Sequence, residues 1–225
     1  MSDLRLVIFD VDGTLVDSQV MIYDAFCFAY QQAELPIPDR ETALSYVGMS
    51  LDTIFPALSP EQDAATHATL IQGYRDAYFH IRQTRGSDAT SPFYPGARAV
   101  LDQLRAQDWT LLGVATGKST RGLDKLIEGH GLEGYFVSRQ TADDHPSKPS
   151  PSMINAILSE TGVAPDRAVM VGDTTFDMVM ARAAGIGAIG VSWGYHPAKT
   201  LQPDILIEDF EALPDAVDQL IGTAT

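Results

Sequence analysis

The stretch Leu4-Arg5-Leu6-Val7-Ile8-Phe9-Asp10-Val11-Asp12-Gly13-Thr14-Leu15 decides the fold. Residues 4–9 form a nearly continuous apolar run that stops at an acid and then a glycine, which suits a strand buried on both faces of a parallel sheet. The pattern recurs at 110–115 before Thr116-Gly117, at 168–171 before Gly172-Asp173, and in two short runs at 186–191 and 205–207. Amphipathic stretches at 97–106, 120–129, 151–161 and 175–184, each near a Gly or Pro boundary, alternate with these strands. Strands alternating with helices predict an α/β fold: a three-layer, Rossmann-like core built on a parallel sheet. Residues 18–85 break the rhythm, because Val20, Met21, Tyr23, Ala25, Phe26 and Tyr30 read as a helix and segments from Ser50 and Pro60 also read helical. The expected organisation is a core of residues 1–16 and 91–225, with an α-helical cap subdomain over 17–90 inserted in it. The joints are expected at 16–18 and in the Gly, Ser, Asp, Thr and Pro cluster of 86–95.

A chain of 225 residues that is 45% hydrophobic can bury a core. Its formal net charge of −15 repels nucleic acid and anionic membrane surfaces, so neither is expected as a partner. A small ligand is expected instead, and an anionic one must be captured by local cations or a metal. Cys27 is the only cysteine, which excludes an internal disulfide; it reads as a small core residue. The apolar run at 6–9 is too brief for a signal sequence or a membrane span, and a cytoplasmic location is expected. Oligomeric state is left open between monomer and homodimer.

In open α/β sheets ligands bind at the carboxyl ends of the strands, and the polar residues of interest cluster there. The first strand delivers Asp10, Asp12 and Gly13, the second Thr116, Gly117 and Lys118, and a later one Asp173 and Asp177, while Lys148 precedes Pro149 in the loop before the 151–161 helix. Three carboxylates converging on one spot repel each other unless a cation sits among them, and an all-oxygen set favours a hard ion such as Mg2+. Such a site stabilises a transferring phosphoryl group, with the Thr116 hydroxyl, the backbone N–H groups of the Asp12–Gly13 turn and the Lys148 ammonium holding its oxygens. Asp10 is placed as nucleophile. Asp12, two residues on along an extended backbone, points the same way and can serve as general acid and base.

These residues resemble the haloacid dehalogenase-like hydrolases, specifically the branch with a helical cap inserted after the first motif. Asp10-Val11-Asp12-Gly13-Thr14-Leu15, Thr116, Lys148-Pro149 and Gly172-Asp173 with Asp177 match the family's four motifs in order. Asp17-Ser18, Tyr94-Pro95-Gly96 and the second proline at Pro151 make the pattern similar to the phosphoglycolate phosphatase-like group. The resemblance implies a small phosphorylated metabolite as substrate, and Mg2+ held by the Asp10 carboxylate, the Asp12 backbone carbonyl and the Asp173 carboxylate. It also implies that Asp177 orients Lys148 or metal-bound water, that the cap loop of Val47, Gly48, Met49 and Ser50 faces the site, and that Arg75 offers an anion contact. The Gly117-Lys118 pair departs from the Asn-Lys of many relatives, beside the phosphate site.

Plainer explanations exist for each residue alone. Strand-end acids make turns, Asp173, Thr174 or Thr175 would cap a helix, and Lys148 and Arg75 would be solvated. His145 and His196 default to turn residues, Trp193 to packing, and the five histidines show no zinc-ligand spacing. Pyrophosphate hydrolysis and a β-phosphoglucomutase-like transfer use the same core. In 2-haloacid dehalogenation the second aspartate and the metal site are lacking, so Asp12 and Asp173 count against it. A signalling receiver module is about half this length, and an acid/base beside its phosphoaspartate would shorten the signal. A degenerate binding protein would show a lost motif residue.

Overall fold

The computed structural model describes residues 4–223. Strand β1 (Arg5–Phe9) is followed by five helices, α1 (Gln19–Gln32), α2 (Arg40–Leu44), α3 (Leu51–Leu58), α4 (Ala64–Arg85) and α5 (Ser87–Thr90). The chain then alternates: α6 (Ala97–Arg105), β2 (Thr110–Thr116), α7 (Thr120–His130), β3 (Ser138–Thr141), α8 (Ser152–Thr161), β4 (Ala168–Gly172), α9 (Thr175–Ala184) and β5 (Gly187–Val191). Helix α10 (Ala198–Leu201), β6 (Ile205–Ile207) and α11 (Leu213–Ile221) complete it. The sheet is all parallel in the order β3-β2-β1-β4-β5-β6, the doubly wound arrangement expected from the alternating pattern. Strand β3 and helix α11 were not among the expected elements.

Side-chain alternation along β1 assigns its residues to two cores. Val7 and Phe9 join a cluster with Leu101 of α6, Leu126 of α7 and Val217 of α11. Leu6 and Ile8 join another with Ile157 of α8 and Met178 of α9. Helices therefore cover both faces of the sheet, which makes the three layers.

Helices α1 to α4 pack on each other around a third cluster, in which Phe26, Phe55 and Tyr74 are buried with ring centroids 4.9–6.1 Å apart. Burying one such ring contributes about 1.5–3 kcal/mol, enough for the insert to hold its own core. Within α1, Phe26 and Ala29 face that core, whereas Phe28 is exposed and Cys27 half-buried. Cys27 is thus not the core residue expected, because it lies at the margin of the helix's buried stripe. The insert's two connections run side by side: Val16 bridges Phe93 in antiparallel fashion, Asp17 N–H donates to Pro92 C=O (2.8 Å) and Tyr94 N–H to Leu15 C=O (3.0 Å). Among the described residues no helix is long and apolar enough to cross a membrane.

Candidate active site

The order of the sheet reverses between β1 and β4, and a crevice opens at such a switch point. Asp10 leaves β1 and Asp173 leaves β4 at that point, locked in register by the Asp10 N–H donating to Val171 C=O (2.9 Å). Gly13, at φ +83°, turns the chain away so tightly that a Cβ there would lie 2.2 Å from an Asp173 carboxylate oxygen. Only glycine admits both that dihedral and that approach.

Asp10, Asp173 and Asp177 are all buried, and each offers a carboxylate oxygen within 4.8 Å of the others. The three carboxylates differ in their partners. Asp173 accepts from the Thr14 hydroxyl (2.9 Å) and the Tyr195 N–H (2.8 Å). Asp177 accepts from the Lys148 ammonium (2.7 Å) and from the N–H and hydroxyl of Thr174 (3.0 and 2.7 Å). Thr174, not Asp173, is the N-cap of α9, reciprocated by Asp177 in a capping box. Asp10 forms an ion pair with Lys148, whose Nζ is 2.8 Å from one oxygen, yet neither of its buried oxygens accepts an aligned hydrogen bond. Burial pushes its carboxyl up to about 7; the Lys148 charge opposes this, while the charges of Asp177 and Asp12 add to it. Burial, with Asp10 and Asp177 beside it, raises Asp173 well above the usual carboxylate range. Burial would lower Lys148, but the negative charges of Asp10 and Asp177 prevail and raise it, so the ammonium stays charged.

A buried carboxylate whose only polar partner among the described residues is one ammonium, in an all-oxygen cluster of three acids beside a single lysine, fits a hard divalent cation. The Asp12 side chain is outside that cluster. It accepts from the Lys118 ammonium at both oxygens (2.7 Å each) and from the Ser18 hydroxyl. The expectation for Asp12 at the metal was confined to its backbone carbonyl, and the side-chain geometry leaves its carboxylate to other work.

A chamber of about 230 Å3 extends from Asp10 and Asp12 towards the insert, with Thr116 and Gly117 on one wall and Gly48, Met49 and Tyr74 on another. Gly117 is the point of contact: a Cβ on it would lie 2.5 Å from Gly48 O and 2.8 Å from Met49 O. The loop expected to face the site therefore abuts it. Arg75 reaches the chamber wall but is exposed, whereas Arg82, about two turns further along α4, is buried and donates to Gly122 C=O (3.1 Å). His196 accepts from Thr175 N–H at Nδ1 (3.1 Å) and donates from Nε2 to Ser45 C=O (2.8 Å), bridging core and insert. His145 bonds Ser152 and Gln140 near β3, and Trp193 packs on Phe210 and donates to Thr14 C=O (3.1 Å). Lys118, Ser18, Thr14 and Tyr195 touch these acids; the sequence places Lys118 at a strand end and Thr14 and Ser18 in and beside the first motif, but assigns none of the four a role at the acids. The signal available for Lys118 was its place directly after Thr116-Gly117.

Comparison with known proteins finds relatives along nearly the whole chain. The family profile described as haloacid dehalogenase-like hydrolase matches residues 7–191. A protein of Dickeya dadantii named "Probable phosphatase IndB" is 35% identical over 96% of this chain and 94% of its own. A phosphoglycolate phosphatase of Chromobacterium violaceum is 34% identical over 96% of this chain and 97% of its own. Among solved structures, a haloacid dehalogenase-like family hydrolase from Streptococcus pneumoniae superposes with a TM-score of 0.81 at 25% identity, covering 96% of this chain and 99% of that one.

Proposed function

We propose, from the premise that this chain belongs to the haloacid dehalogenase-like hydrolases and is a phosphatase of that family, that it is a Mg2+-dependent phosphomonoesterase working through a phosphoryl group carried on Asp10. The observation that supports this reading most is the buried Asp10 carboxylate, held by the Lys148 ammonium at 2.8 Å and, unlike Asp173 and Asp177, accepting from no hydroxyl or backbone N–H among the described residues. Its remaining lone pairs are not committed to the fold, as a nucleophile's must not be.

In the first step an Asp10 oxygen bonds to phosphorus while the ester bond breaks, and Asp12 gives its proton to the departing oxygen. In the second, Asp12 takes a proton from a water that attacks the same phosphorus, which returns Asp10 as carboxylate and yields inorganic phosphate. Thr116, the turn at Gly13 and Lys148 bind the phosphoryl oxygens, and Asp177 keeps Lys148 in place. The Asp10 and Asp173 carboxylates would hold Mg2+, which when bound offsets the charge developing on the phosphoryl group.

For the substrate we propose a small phosphorylated metabolite, with phosphoglycolate first because relatives bear that name. The test is phosphate release from a panel of monoesters and pyrophosphate, with and without Mg2+. The expected result is Mg2+-dependent turnover of at least one monoester, abolished by Asp10→Asn in a protein that still folds. Absence of metal-dependent release across the panel, or an active Asp10→Asn, would overturn the reading.

A further inference from the structure

Lys118 has no part in the steps above, yet its side chain is buried beside the residues that do. It is buried and lies 2.7 Å from each oxygen of Asp12 and 2.8 Å from the Tyr78 hydroxyl on α4. Burying a lysine is costly unless its charge is paired and its donors are used. Here two donors go to one carboxylate and a third to the insert. Equal distances to both oxygens centre the ammonium between them and fix the position of the carboxylate, while the Ser18 hydroxyl, donating to one of the two oxygens, fixes its plane. The Ser18 hydroxyl in turn meets the Tyr195 hydroxyl at 2.9 Å.

Proton transfer to a leaving oxygen requires the donor within about 2.6–3.2 Å and correctly aimed. A free aspartate can turn about two side-chain bonds; Asp12 cannot turn without breaking contacts to Lys118 and Ser18. We infer that Lys118 is a positioning residue: with Tyr78 it sets the orientation in which Asp12 delivers its proton, so that helix α4 of the insert reaches the proton-transfer step through a single ammonium. This rests on the acid/base role given to Asp12 above. A lysine that merely neutralised a buried carboxylate would matter to the fold and to every substrate alike.

The leaving group separates the two roles. An alkyl ester leaves as an alkoxide and needs the proton, whereas 4-nitrophenolate leaves without one, and kcat/KM reports events only up to that departure. The experiment measures kcat/KM with Mg2+ for 4-nitrophenyl phosphate and for an alkyl ester, phosphoglycolate or ethyl phosphate, in the wild type, Lys118→Met, Lys118→Arg and Tyr78→Phe. Lys118→Met is expected to lose about 100-fold on the alkyl ester, within the range of general acid catalysis, and less than about 10-fold on the aryl ester. Lys118→Arg is expected to restore part of the alkyl-ester rate, since a guanidinium also spans both oxygens of a carboxylate. Tyr78→Phe, which removes one hydroxyl, is expected to shift the ratio the same way by less, and it carries the test if Lys118→Met does not fold. Equal losses on both esters, or an unchanged ratio in both variants, would overturn the inference while leaving the phosphatase reading intact. A wild type inactive on both esters would instead overturn that reading itself, and with it the role of Asp12.

Discussion

At Asp10 the chemistry of one side chain makes a statement about the whole protein. Its carboxyl is pushed up to about 7 by burial, against Lys148 and with Asp177 and Asp12, whereas in the unfolded chain an aspartate titrates near ~3.9. Between those values the folded state keeps a proton that the unfolded state has lost. The stability contributed by this group is therefore present below about pH 4 and lost as pH rises through about 7. A divalent cation competes with that proton. Thermal denaturation is expected to show a Mg2+-induced rise in Tm that is large near pH 8 and small near pH 5, and Asp10→Asn should flatten the dependence. A Mg2+ effect equal at both pH values would contradict it. Asp10 and Asp173 were legible from sequence because each follows an apolar run, where a charge has few structural excuses, and Asp12 and Asp177 by their spacing from those two. Lys118 was legible as a strand-end residue but its role was not, since one lysine after a glycine looks like any solvated loop residue and its partner Tyr78 lies 40 positions away in a helix where a tyrosine reads as packing.

Elements bring these residues into register, and core and insert meet backbone to backbone where the loop after β2 abuts the loop before α3. Gly117 faces backbone atoms there, Gly48 O at 2.5 Å and Met49 O at 2.8 Å from a built Cβ, and backbone cannot rotate aside as a side chain can. Gly117→Ala is expected to displace the loop, costing about 1–3 kcal/mol of stability in denaturant unfolding and lowering kcat/KM by about 10- to 100-fold. Unaltered kinetics would show that the loop contact plays no part in turnover. The strands that carry the site were readable because they are central and apolar. Strand β3 was not: Ser138-Arg139-Gln140-Thr141 pairs only with β2 at the sheet's edge, so no apolar run marks it. Helix α11 did carry a mark, Leu213, Ala216, Val217 and Ile221 buried at helical spacing, beyond the last strand in the chain.

At the scale of the molecule, the net charge of −15 sets a repulsive field for any phosphorylated substrate, against which only local charges act. Raising ionic strength from about 20 to about 200 mM shortens the Debye length from beyond 20 Å to below 10 Å. With Mg2+ held saturating, kcat/KM for an anionic ester is expected to rise; a steep fall would show that the cations at the site govern approach. The three layers and the helical insert were legible in the change of periodicity along the chain. How the insert sits on the core was not, because the contacts that seat it, Ser50 N–H to Ser147 Oγ (2.9 Å), His196 to Ser45 C=O and Arg82 to Gly122 C=O, join isolated polar groups far apart in sequence. The paired connections at Val16 and Phe93 bear on descent as well as on motion. A segment that departs and returns at one place can lengthen, shrink or be exchanged without shifting the strand ends, so lineages sharing this core can inherit the reaction unchanged while each acquires its own choice of molecule.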